Sequence, residues 1–178
     1  SGAAWAKVFP KVIPSFLQQI PFVKKHHEKI APLMLLAFES LNLKEFDVII
    51  SVTSEAAKGI VTHPHQKHIC YCLTPTRYLW SGFDDYFGNN IVRYTAKSVI
   101  SYLRKWDQVA AYRPDLMIAI STEVKQRIKK YYKRDSLVIH PQLAMFVKKT
   151  ESKKRNYFLV VSRLVPYKKV DLVIDCFN

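Results

Sequence analysis

A chain of 178 residues with 49% hydrophobic content carries enough apolar material for a real core, which excludes a disordered polymer. Its 28 Lys and Arg against 14 Asp and Glu leave a net charge of +14, so an anionic partner is expected: a phosphorylated small molecule, an anionic membrane surface or nucleic acid. No apolar run approaches the roughly 20 residues of a membrane span, and an odd number of cysteines, three, argues against a disulfide scaffold and for a reducing, cytoplasmic compartment.

The first residues, Ser1-Gly2-Ala3-Ala4, lack the charged and apolar regions of a signal peptide. A basic cluster at Lys24–Lys29 precedes an apolar helix predicted around Pro32–Leu41. Phe46–Val52 reads as a strand, and Ser54 as the cap of a short helix over Ala56–Val61. His63 and His65 flank Pro64 in a loop before His68, with no carboxylate or thiolate fixed beside them, so no metal site is expected. His68–Leu73 is the second strand, with Cys70 and Cys72 on one face as small buried thiols. Pro75 then forces a turn that gathers Thr74, Thr76, Arg77, Tyr78 and Trp80 at the strand's carboxyl end. A hydroxyl, a guanidinium and two aromatics suit a ligand-facing loop; they equally suit a strand-to-helix turn whose aromatics pack.

Asp84 and Asp85 are adjacent, and so poorly placed to flank one bond. No G-x-S-x-G elbow occurs, and neither a GxGxxG nor a Walker loop. The clearest predicted helix is Arg93–Tyr112, with Ala96, Val99, Ile100, Leu103, Trp106 and Ala110 on one stripe and Pro114 ending it. A third strand, Leu116–Ile120, leads through Ser121 as N-cap into a helix reaching about Lys133, with Val124, Ile128, Tyr131 and Tyr132 inward and Lys125, Arg127, Lys129 and Lys130 outward. Ser136–Ile139 is a fourth strand. Short apolar strands separated by helices predict an α/β fold with a Rossmann-like parallel sheet, covered on both faces.

Met145–Asn156 is polar, basic and aperiodic, and reads as a linker. Beyond it Tyr157–Val161 predicts a strand, and Pro166 the start of a helix, which would set Arg163 and Lys168 at the tip of a strand–loop–helix unit. Two cations beyond a strand end and beside a helix N-terminus suit a diphosphate, although pattern alone leaves a solvated charge run open. The expected organisation is an incomplete domain over residues 1–147, a basic linker over 148–156 and the beginning of a second domain over 157–178. The basic clusters are separate and lack the aromatic pattern of an RNA-binding sheet, which argues against nucleic acid.

The order FDVIISVTSEAAKGIV, HICYCLTPTRYLW, YLRKWDQVAAYRPDLMIAISTEVKQRIKKYY, LVIHPQL and YFLVVSRLVPYKKVDLVIDCFN resembles family 4 glycosyltransferases, in particular mannosyltransferase-like members of polysaccharide biosynthesis, over nearly all of 15–178. The resemblance implies a GT-B architecture of two facing Rossmann-like domains and retaining, metal-independent transfer from a nucleotide-diphosphate sugar such as GDP-mannose. The acceptor would be a glycan or a lipid-linked phosphate. Arg163 and Lys168 match the family's Arg and Lys that grip the donor diphosphate, and Leu73, Thr74, Pro75, Arg77, Tyr78 and Trp80 fall on its cleft loop. The match implies that the catalytic constellation is not complete within these residues, so the isolated chain is expected to be inactive. The family usually has His where this chain has Leu73, and often Asp at Ser81. Leucine can neither donate nor accept a hydrogen bond, which leaves as the alternative a non-catalytic, glycosyltransferase-like binding module. In the glycosyltransferase reading the basic clusters at Lys24–Lys29 and Lys125–Arg134 would hold the intact enzyme at the inner face of an anionic membrane, although they equally suit plain solubility.

Overall fold

The computed structural model describes residues 9–20, 31–86, 97–142, 156–165 and 168–177. The chain divides into two compact units, Ser1–Pro141 and Gln142–Asn178. The first is α/β. A helix α1 (Ala31–Glu39) precedes strand β1 (Val48–Thr53), a 3-10 turn at Ala56–Gly59 and strand β2 (Lys67–Cys72). After a second 3-10 turn at Arg77–Leu79 come α2 (Phe83–Tyr86), α3 (Lys97–Ala110), β3 (Leu116–Ala119), α4 (Thr122–Tyr132) and β4 (Leu137–Val138). The four strands form one all-parallel sheet in sequential order, compatible with a Rossmann-like fold.

That order decides how the sheet is covered. Each connection steps to the next strand in the same direction, and right-handed crossovers then all pass over one face. The covered face carries Ile49, Ser51, Thr53, His68, Cys70, Cys72, Met117 and Ala119, and its central part packs under Val124, Ile128 and Tyr132 of α4. On the opposite face Val48, Ile50 and Val52 are 55%, 66% and 62% exposed, with Leu137 and Ile139 also more than half exposed. The expectation of a sheet covered on both faces is therefore corrected among the described residues.

Local signals explain the helices. Ser121 is extended and its side chain accepts from the Val124 amide at 3.2 Å, an N-cap with Glu123 in the first turn. At the other end Lys133 adopts φ 54, the left-handed conformation that terminates α4. The Arg134 guanidinium donates to the Ala111 and Pro114 carbonyls, both at 2.6 Å, and closes off the end of α3. Before the first 3-10 turn it is Glu55, not Ser54, that occupies the cap position. The α3 stripe differs from expectation in two places: Val99 is 49% exposed, and Asp107 is buried.

In the second unit, helix α5 covers Val170–Phe177. Tyr157–Val161, expected as a strand, carries no ladder among the described residues, and its side chains are exposed. A strand exists through its pairing, and the sheet consists of β1–β4 alone among the described residues. The predicted helix start also moves. Lys169 has φ 50, which turns the chain immediately before α5, so Lys168 precedes the helix. Pro166 and Tyr167, the clusters at Lys24–Lys29 and Lys148–Arg155, the positions Arg93 and Ala96, and the linker up to residue 155 lie outside the described residues.

Candidate functional site

The carboxyl ends of β1, β2 and β3 deliver three loops to one edge of the sheet. Leu73 continues the ladder, its amide donating to the Thr53 carbonyl at 2.9 Å, and Ile120 does the same to Cys72 at 3.2 Å. The chain then leaves the sheet through Thr74 and the buried Pro75. It curls into the 3-10 turn Arg77–Leu79, closed by the Trp80 and Gly82 amides donating to Thr76 and Arg77.

A buried carboxylate fixes this loop from beneath. Asp107 of α3 accepts from Thr76 Oγ1 at 2.8 Å and Trp80 Nε1 at 2.7 Å, and from the Tyr132 hydroxyl at 2.8 Å. Lys58 completes it at 2.5 Å, and that ammonium also donates to the Glu55 carbonyl at 2.6 Å and Thr76 Oγ1 at 3.3 Å. Each carboxylate oxygen has two donors and the ammonium three acceptors, which is the condition under which a buried pair is tolerated. Burial raises the Tyr132 phenol well above its ordinary pKa, with the Asp107 charge adding to the effect, so the phenol stays a donor.

Aromatic packing closes the outer side of the loop. Trp80 stacks on Tyr131 at 5.1 Å, and the Arg104 guanidinium lies 5.4 Å from the Trp80 ring and 4.6 Å from Phe83 while its Nε donates to the Leu79 carbonyl. The cavity under the loop, bounded by Met34, Glu55, Tyr78 and Trp106, holds about 10 Å³, room for one water at most. Only the outer side of the loop is open to anything larger than water; there Leu73 is 37% exposed and Thr74, Arg77 and Tyr78 are half-buried. Burial pushes the Tyr78 phenol up, with the Glu55 and Asp107 charges adding, so it remains protonated at neutral pH.

Thus the structure draws Thr76 and Trp80 together on one carboxylate and leaves Leu73 at the surface. Lys58 and Asp107, which organise the loop, are absent from the sequence expectations, and Tyr132 is expected only as an inward residue of its helix, which it is; a carboxylate on the apolar stripe of α3 and a lysine inside AAKGIV were the available signals. Cys70 and Cys72 are free and buried, and desolvation pushes the Cys72 thiol up to about 12, which makes it inert.

In the second unit Arg163 and Lys168 are both exposed. Successive turns, the Val165 amide on Arg163 and the Lys168 amide on Val165, both at 2.9 Å, separate them. A cavity of about 350 Å³ in this unit is lined by Phe158, Val160, Val170, Val173, Ile174 and Phe177, and neither cation borders it. The His63 and His65 rings stack at 5.9 Å, and no group of three or more His, Cys, Asp or Glu side chains suited to a metal occurs among the described residues. Among them, too, no helix is long and apolar enough to cross a membrane. No family model, no curated protein and no solved structure matches this chain.

Proposed function

We propose that the chain is part of a retaining, metal-independent glycosyltransferase of GT-B architecture that moves a sugar, mannose in the first instance, from a nucleotide-diphosphate donor to a glycan or lipid-linked acceptor. In this reading the first unit is the acceptor-side domain and the second begins the donor-side domain. The observation that supports it most is the loop Leu73–Trp80: it lies at the carboxyl edge of a parallel sheet, where open α/β sheets bind ligands, and Asp107 holds it rigid from beneath. The ordered motifs of the sequence add to this, and Arg163 and Lys168 supply cations of the kind that stabilise a departing diphosphate. The buried free thiols fit a reducing cytoplasm.

The test is calorimetric titration of the 178-residue chain with GDP and GDP-mannose, in the presence of EDTA. Binding that weakens about tenfold or more in Arg163→Ala and in Lys168→Ala is expected, since each removes a charge-assisted contact. Absence of binding, or binding indifferent to both substitutions, overturns the reading.

A second reading, a binding module without catalysis, is favoured by one observation: the exposed side chain of Leu73 offers no hydrogen bond at the loop's open side. Sugar transfer by the full-length protein with Leu73 in place would eliminate it, whereas activity seen only in Leu73→His would support it.

A further inference from the structure

One carboxylate of the first unit stands apart from the rest. Among the described residues of that unit, Glu39, Glu55 and Asp107 are the acidic residues withdrawn from full exposure. Glu39 pairs with Arg113 at 2.6 Å and Asp107 with Lys58 at 2.5 Å, whereas the Glu55 side chain makes no ion pair and caps no amide of the turn that follows it. A half-buried charge without a partner is costly, and a chain with 28 Lys and Arg against 14 Asp and Glu has cations to spare for it. Left unpaired amid that excess, Glu55 is suited to a partner from outside the chain.

Its backbone is fixed where its side chain is not. The Glu55 amide donates to Thr53 Oγ1 at 2.8 Å, and its carbonyl accepts from the buried Lys58 ammonium at 2.6 Å. That ammonium also holds Asp107, so the network that fixes the loop Leu73–Trp80 carries Glu55 as well. Thr53 pairs with Cys72, and the two chains leave the sheet side by side, Glu55 two residues past the one and Thr74 two past the other. Glu55 and Tyr78 border the same one-water cavity, and the Thr74 hydroxyl is buried without a hydrogen-bond partner. A carboxylate, a protonated phenol and a threonine hydroxyl thus stand at the carboxyl edge of two adjacent strands, where open parallel sheets take their ligands.

Such a set selects by charge. An ionised carboxylate only accepts hydrogen bonds; it can take two neighbouring hydroxyls of one ligand, and it repels a phosphate. Arg163 and Lys168 have the opposite preference. We propose that Glu55 is a specificity-determining residue that receives neighbouring hydroxyls of a neutral saccharide, with the Tyr78 phenol as the adjoining donor. The saccharide's role as acceptor rests on the sugar-transfer reading; the contact with Glu55 does not.

The test is saturation-transfer NMR titration of the 178-residue chain with methyl α-mannopyranoside, with GDP titrated separately by calorimetry. Glycoside binding that weakens about tenfold or more in Glu55→Gln, and several-fold in Tyr78→Phe, is expected from the loss of a charge-assisted and a neutral hydrogen bond. Glu45→Gln, which removes an exposed carboxylate paired with Lys11, should leave it unchanged. Glu55→Gln should also keep or raise the thermal midpoint, because the carboxylate has no partner within the chain to lose. A lowered midpoint would make Glu55 a structural residue and overturn the proposal. So would absence of glycoside binding, binding indifferent to Glu55→Gln, or tighter binding of mannosyl phosphate than of the neutral glycoside. GDP affinity should be the same in Glu55→Gln as in the parent. GDP bound while the glycoside is ignored overturns this proposal alone, and glycoside bound through Glu55 without GDP supports it while the sugar-transfer reading fails.

Discussion

The Lys58 ammonium lies 2.5 Å from the Asp107 carboxylate, and both side chains are 2% exposed. Lys58 stands between β1 and β2, and Asp107 in α3, so the pair ties the first crossover to the helix layer. The two ends are not equivalent. Asp107→Ala strands Thr76, Trp80, Tyr132 and the ammonium together, and should cost about 3–5 kcal/mol. Lys58→Met leaves the carboxylate with three donors and should cost less, about 1–3 kcal/mol. Urea unfolding midpoints of the two variants check the order.

His68 gives the fold a pH dependence. It is fully buried on the covered face of β2, its Nε2 2.9 Å from Ser51 Oγ and its Nδ1 without a hydrogen-bond partner. Desolvation lowers its pKa below the ordinary 6.5, against the raising effect of Asp115, with Arg134 lowering it further. The unfolded chain therefore binds the proton more readily. The contribution is complete above pH 6.5 and is lost as pH falls through 6.5 toward the folded value. Asp115 and Asp135 are shifted below their ordinary 3.8, so their contributions are lost only at lower pH. A melting temperature lower at about pH 5.5 than at about pH 7.5, with the difference reduced in His68→Gln, is the expected result.

Gly59 is required by close approach. A Cβ at this position would lie 2.5 Å from two carbons of the Trp106 ring. The ring cannot yield freely, because its Nε1 donates to Glu39 at 2.9 Å and Arg113 stacks on it while pairing with Glu39 at 2.6 Å. Gly59→Ala should destabilise the protein by about 1–3 kcal/mol, seen as a lower thermal midpoint and an altered tryptophan emission.

The uncovered face of the sheet should behave as a sticky surface. Val48, Ile50 and Val52 follow one another on one side of β1, each more than half exposed, and apolar side chains gathered in this way favour association. Ile50→Thr with Val52→Thr keeps the β-branched shape, and should change stability by no more than about 0.5 kcal/mol per site while lowering light scattering on concentration and the fluorescence of bound ANS.

Much of the fold was legible from the chain. The four strands of the first unit fall within two residues of their predicted bounds at either end, and the Ser121 cap and Glu123 first turn of α4 are as read. The uncovered face was not legible because β1 inverts the usual pattern. Its buried positions include Ser51 and Thr53, while Val48, Ile50 and Val52 face out, so apolar content alone suggested burial on both sides. At the loop, position along the chain identified Leu73–Trp80, yet the carboxylate that organises it sits far away in α3. Helical periodicity scores Asp107 as an interruption of the stripe; only the fold brings Lys58, Thr76, Trp80 and Tyr132 to it. Tyr157–Val161 was read from its β-branched composition, which cannot supply a neighbouring strand.

The sequential strand order also dictates a history for the folding chain. Val48 faces Lys67 and Ile118 faces Leu137, pairings that close short loops, whereas Ile69 meets Leu116 only across the longest connection. The two outer pairs can form early, and joining them at β2–β3 is the step with the largest loop-closure entropy. Lys58, Thr76 and Trp80 come from one side of that joint and Tyr132 from the other, so the Asp107 network closes last. It then acts as a latch on the finished sheet: its loss should speed unfolding while leaving the rate of folding nearly unchanged.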